Sequence, residues 1–200
     1  GHAGHRRLSA CLEVLCTYPS LGVQIVACGI LGGVSFAVPG CNDAILSHLG
    51  FSSRVTSWVN LAFMASGVLS GLLLGYKCNS PSHYGIILKV IFCLCMVALT
   101  ALAAFVKLVR PTDDNLSHLL VIFVLTAIAG ATSLGFIGIG IEAAALYPVG
   151  GTYVCFFIEL FVQLVGGVLT QLSSNKDGYA TIAVAAWLAG LLLLIGYRRA

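Results

Sequence analysis

The chain has 200 residues, 59% of them apolar and only 8% charged, with a mean hydropathy of +1.02. A soluble domain carries about 25% charged residues, so a water-facing surface is excluded and an integral membrane protein is implied. The formal net charge of +3 is scattered, with no basic stripe and interleaved aromatics, so nucleic acid is not an expected partner.

Residues 1–19 form an amino-terminal segment or linker, expected to be cytoplasmic. The first residue is Gly rather than Met, which reads as a start downstream of a native initiation site. Residues 1–16 lack the continuous apolar core of a signal peptide. Six runs then reach hydrocarbon length, at residues 20–40, 55–76, 84–107, 119–146, 152–172 and 179–197, and together they form one six-helix bundle. Residues 86–106 do not alternate apolar and polar side chains, which excludes the strands of an outer-membrane barrel. The fold class is all-α, multi-pass, with six transmembrane helices.

Polar connectors separate the runs. Residues 41–54 hold Asn42, Asp43 and Arg54; residues 77–83 read Lys-Cys-Asn-Ser-Pro-Ser-His; residues 107–118 hold Arg110-Pro111 and Asp113-Asp114. Short turns at 147–151 and 173–178 complete the set. Six spans place both termini on one side, residues 198–200 being a cytoplasmic tail. Six cations then lie with the termini (Arg6, Arg7, Lys77, Lys89, Arg198, Arg199) against Arg54, Lys107, Arg110 and Lys176 opposite. That bias favours cytoplasmic termini. Asn115-Leu116-Ser117 is a glycosylation triplet in a loop expected outside.

Small residues recur within the spans: Gly67, Ser70, Gly71 and Gly75 in the second, Gly130, Gly135, Gly138 and Gly140 in the fourth, Gly166 and Gly167 in the fifth. They permit close helix approach, with Gly71 and Gly75 a small-xxx-small pair. The eight cysteines do not read as a disulfide framework, and Cys28, Cys93, Cys95 and Cys155 sit inside apolar runs as small hydrophobes. His48, His83 and His118 fall in connectors without metal-ligand spacing. No metal, cofactor or catalytic group is expected, and no nucleophile-base pair or phosphate loop suggests an enzyme.

The chemistry-bearing candidates lie in 142–163. Glu159 and Gln163 are four residues apart and share one helix face. At 1.5 Å per residue they lie ~10 and ~16 Å into the fifth span, so Gln163 is near the middle of a ~30 Å hydrocarbon core. Transporter substrate sites commonly lie at that depth. A carboxylate there costs at least ~2.5–3.5 kcal/mol, so it faces a cavity or a partner. Glu159 has three readings, a cavity wall, a helix-helix partner or a misplaced span boundary; Gln163 lines a substrate path or makes an interhelical hydrogen bond. Glu142 reads as interfacial. Asn42 and Asp43, after Pro39-Gly40, read as a helix end or, second, as part of a gate. Gln24 and Asn60 read as packing partners, and Lys89 as a snorkelling residue.

The run Gly138-Ile-Gly-Ile-Glu142-Ala-Ala-Ala-Leu-Tyr147-Pro148-Val-Gly150, followed by Gln163 and Gly166, resembles the tenth and eleventh helices of the feline leukaemia virus subgroup C receptor-related transporters, in the major facilitator superfamily. Gly33-Val-Ser-Phe36-Ala-Val resembles their seventh helix, with an aromatic at Phe36. The resemblance covers the chain as a carboxy-terminal six-helix half. It implies a twelve-helix fold, with the other partner a missing amino-terminal half or a second copy. It implies alternating-access transport of a small-molecule substrate, choline- or ethanolamine-like or haem-type, from the bilayer of the plasma membrane or, second, an endolysosomal one. Phe36 and Gln163 match positions lining the family's choline pocket, and Glu159 joins them as a substrate-binding candidate by its shared face. Family acids stand at the positions of Gly140 and Ala144, whereas here the acid is Glu142, about 200° away around the helix. The aromatic-Pro turn runs to Gly151-Thr152 instead of an acid and Gly, and the superfamily's loop acid is absent at Gly75. The alternatives are a non-transporting receptor or scaffold, and a half-transporter of another superfamily branch.

Overall fold

A computed structural model describes residues 19–77, 83–108, 116–145, 151–175 and 177–196. Expectations for the amino-terminal segment, the glycosylation triplet's Asn115, the Tyr147-Pro148 turn, Lys176 and the carboxy-terminal tail lie outside the described residues. Those residues form α1 (Pro19–His48), α2 (Ser53–Lys77), α3 (Tyr84–Leu108), α4 (Leu116–Ser133), α5 (Ile137–Ala145), α6 (Gly151–Leu172) and α7 (Gly178–Gly196). Six stretches are long and apolar enough to cross a membrane, with α4 and α5 joined in one of them, Ser117–Ala143. The protein is all-helical and multi-pass.

Three expectations are corrected. The first connector does not begin at residue 41, because α1 runs unbroken through Pro39 to His48. Proline there removes one helical hydrogen bond, a loss that neighbouring helices can absorb in a bundle. Asn42 is therefore not a helix end. It is fully buried, donates Nδ2 to Asn60 Oδ1 at 2.7 Å, and accepts the hydroxyl proton of buried Tyr179. His48 and His118 likewise stand on helices rather than in connectors. The fourth span is not one helix from 119 to 146: a turn at residues 134–136 divides α4 from α5.

Contacting residues set the direction of each helix pair. Gly29 of α1 meets Phe161 of α6, and Gly40 meets Thr170, so α1 and α6 run parallel. Gly130 of α4 meets Phe63 of α2, and Gly135 meets Ser70, so that pair is parallel too. By contrast α1 and α7 are antiparallel, with Gly196 at Val23 and Gly178 at Cys41. The antiparallel pair α3 and α4 joins Phe105 to His118 and Phe92 to Phe136. The Lys107–Asp177 ion pair, at 3.2 Å, and the Gly190–Met96 contact join α3 to α7, also antiparallel.

Exchanging the first three spans for the last three maps this pairing onto itself. The pair of spans one and five becomes four and two; one and six becomes four and three; three and six is unchanged. Because each triplet has an odd number of spans, the two enter the membrane from opposite sides. The bundle therefore has the contact pattern of an inverted repeat. Its core is centred on α1, whose Leu21, Leu31, Val34 and Val38 are fully buried.

Candidate functional site

Glycine determines how closely the parallel pair α1–α6 can approach. A Cβ on Gly33 would lie 2.7 Å from Val165 Cγ1 and 2.9 Å from the Gly166 backbone nitrogen, and a Cβ on Gly166 would lie 3.1 Å from Phe36 Cβ. The two backbones are thus nearly in contact, and Phe36 is held beside the turn of α6 that follows Gln163. Phe36 is 53% exposed, an outlier on this buried helix.

The broken fourth span supplies the third wall. A helix end leaves carbonyls without intrahelical partners. Ser35 of α1 donates its hydroxyl to the Ser133 carbonyl, at the last residue of α4, and to Leu31 O at 3.2 Å. Gln24 donates Nε2 to the Gly140 carbonyl of α5 at 3.0 Å. The hydrophobic sequence gave no sign that these two residues hold the break. Phe136 lies within it, buried edge-on against Phe92 at a ring separation of 5.4 Å.

The three walls enclose a cavity of about 280 Å³, lined from α1 by Cys28 and Phe36, from the broken span by Phe136, Ile137, Gly140 and Ile141, and from α6 by Cys155, Ile158, Glu159, Val162 and Gln163. All three sequence candidates, Phe36, Glu159 and Gln163, share it. Glu159 is the sole charged side chain among the lining residues, and both it and Gln163 are exposed on α6. An aromatic face, a carboxylate and an amide in an otherwise apolar cavity can hold a small cation with an apolar body, through ring, charge and hydrogen bond. Among the described residues no group of three or more His, Cys, Asp or Glu is placed to hold a metal.

Glu142 stands apart. It is exposed on α5 and accepts a hydrogen bond from Tyr84 Oη of α3 at 2.8 Å, outside the cavity lining. Gln24 and Asn60 are packing partners as read. Asn60 also donates Nδ2 to Asp43 Oδ1 at 3.2 Å, and Trp187 Nε1 donates to Thr100 at 2.9 Å. The close contacts of α2 fall at Gly67, against Leu134, rather than at Gly75, whose Cβ would meet nothing within 4 Å. The chain matches no protein-family model and no curated protein.

Proposed function

We propose that this chain is a six-helix half of an alternating-access transporter, in the manner of the feline leukaemia virus subgroup C receptor-related transporters, and that it carries a small organic cation of the choline or ethanolamine type. The observation that carries the reading is the convergence of Phe36, Glu159 and Gln163 on one cavity from two spans far apart in sequence. The inverted-repeat pairing supports it, since major-facilitator halves are built from such triplets. So does the broken span at the cavity wall: irregular backbone at membrane depth belongs where it lines a cavity.

The lining favours a small cation over a haem-type substrate, because it offers one carboxylate, one amide and aromatic rings, and no group of three or more His, Cys, Asp or Glu stands among the described residues to hold a metal. The exposure of Glu159 and Gln163 bears on the partner. A carboxylate turned to lipid near mid-membrane costs at least ~2.5–3.5 kcal/mol, so this face meets a water-filled path shared with a second helical body. That body is an amino-terminal six-helix half or a second copy. We place the complex in the plasma membrane with both termini cytoplasmic, and assign it no chemical reaction.

The test is uptake of labelled choline and ethanolamine by cells expressing the whole protein. Gln163→Ala is expected to reduce uptake at least tenfold at unchanged surface abundance. Wild-type uptake retained in that variant would overturn the reading.

A further inference from the structure

A second cleft, of about 440 Å³, opens between the far end of α1 and the start of α2, the end assigned to the outside. It is lined by Asp43 and Ser47 of α1, Phe51 of the turn, and Ser53, Thr56, Ser57 and Asn60 of α2. We propose that this cleft is a binding site for a small organic cation carrying an ammonium group, with Asp43 as its counter-charge, and that it is the vestibule through which such a cation reaches the cavity at Phe36. The vestibule role rests on the transporter reading; the binding does not.

The chemistry follows from where the protons go. Ser47 donates its hydroxyl to Ala44 O at 2.9 Å, Ser57 to Ser53 O at 2.9 Å, and Thr56 to Ser52 O at 3.5 Å. A hydroxyl has one proton and two lone pairs, so each of these oxygens is left as an acceptor. Asn60 directs its amide protons to Asp43 Oδ1 and to Pro39 O, at 3.2 and 3.5 Å. Its own oxygen is occupied by Asn42 Nδ2. Ser47, Thr56, Ser57 and Asn60 thus have their protons committed inward, and with Asp43 the cleft offers a carboxylate and hydroxyl oxygens to an occupant, while Ser53 can donate or accept. Such a surface accepts N–H donors and positive charge and repels anions. Arg54 and His48 are neighbours in sequence but not among the lining residues.

Size and wall composition select among cations. A calcium or magnesium site needs six or more oxygens around one ion, usually with several carboxylates. This cleft has one carboxylate, is far larger than an ion, and includes the Phe51 ring, against whose face an ammonium group can rest.

The link to the cavity is read from α1 itself. Between residues 20 and 47 its exposed residues are Phe36, Gly40, Asp43 and Ser47. Their spacing of four, three and four puts them on one face, and Phe36 to Asp43 is a rise of ~10 Å. A continuous open stripe therefore runs along an otherwise buried helix from the cavity to the cleft. Gly40, midway, places no side chain in the way.

The test is labelling of Ser47→Cys in membranes, with the parent chain's own labelling subtracted. The probes are a cationic and an anionic methanethiosulfonate of similar size. The cationic reagent is expected to react about tenfold faster than the anionic one, as one fixed charge beside the thiol can produce. Asp43→Asn should bring the two rates close together. tert-Butylammonium should slow labelling and its uncharged isostere tert-butanol should not, and Asp43→Asn should abolish the protection. Ser57→Cys, on the opposite wall, should behave alike, which guards against misfolding of one variant. Equal rates for the two reagents, equal protection by tert-butanol, or protection that survives Asp43→Asn would overturn the proposal. Labelling requires no transport, so unaltered uptake in Gln163→Ala would sink the transporter reading and leave this site standing. In transport assays Asp43→Asn should raise KM several-fold with kcat little changed.

Discussion

Two parallel helix pairs, α1 with α6 and α2 with α4, are equivalent under exchange of the two triplets, and each is closed by glycine. In one, Gly29 and Gly33 pack on Phe161 and Val165; in the other, Gly130 packs on Phe63, and Leu134 lies against Gly67. The spacing is four residues on every helix, so the pairs can be set in register. Phe161 then corresponds to Phe63, Glu159 to Leu61 and Gln163 to Ala65. The packing device is common to both, while the carboxylate and the amide belong to one. The outward face of α2, with Leu61, Met64, Leu69, Leu72 and Leu73 exposed, suits lipid. The same face of α6 carries a carboxylate and an amide. The difference teaches that close packing is the architecture here, and that a carboxylate and an amide were added to one copy of it.

The backbones differ as well. Helix α1 stays continuous through Pro39, whereas the fourth span breaks at residues 134–136 and has its freed carbonyl held by Ser35. One long, rigid helix thus holds a partner that is two shorter ones. Phe36 and Ile137 occupy equivalent positions and both line the cavity.

The comparison is most sharply tested by exchanging the polar residues. Glu159→Leu, which copies Leu61 onto α6, is expected to abolish uptake of a cationic solute while the protein still reaches the membrane; retained uptake would remove the functional asymmetry. Next come the glycines. Gly130→Ala puts a Cβ 2.8 Å from the Phe63 carbonyl carbon and 2.7 Å from Ser66 Oγ, and Gly33→Ala one 2.9 Å from the Gly166 nitrogen. Both should lower thermal stability in detergent by about 1–3 kcal/mol, as overpacking does, but only Gly33→Ala should also impair uptake through Phe36. Equal functional loss in the two variants would break the distinction.

Smaller effects probe the break. Ser35→Ala leaves the Ser133 carbonyl without that donor, and should cost about 0.6–1.7 kcal/mol, the range of hydrogen bonds within membranes. Tyr84→Phe removes the bond to the exposed Glu142 and should cost about 0.6 kcal/mol, with uptake unchanged. Gly138→Ala and Gly167→Ala meet nothing within 4 Å and should leave melting temperature where it was, the control for the glycine series.

Much of the bundle was legible before any packing was known, for instance in the second, third and sixth spans, whose ends fall within two residues of the helices formed. Two places were not. Residues 41–48 read as a connector because Asn42, Asp43 and His48 follow Pro-Gly. Burial of Asn42 against Asn60 and Tyr179 makes the same residues the interior of a helix. Glycine marked the fourth span as loose, yet the partners of the carbonyls on either side of its break, Ser35 for Ser133 and Gln24 for Gly140, are about a hundred residues away.

From the sequence alone came the membrane class, the span count, and the shared face of Glu159 and Gln163. All of these are local sums: hydropathy adds along a run, and helical register repeats every 3.6 residues. Tertiary structure decided which polar residues share a cavity, which glycines carry contacts, and where the fourth span gives way. Those depend on the partner that each helix face meets, and a partner four spans away leaves no periodicity in the run that meets it.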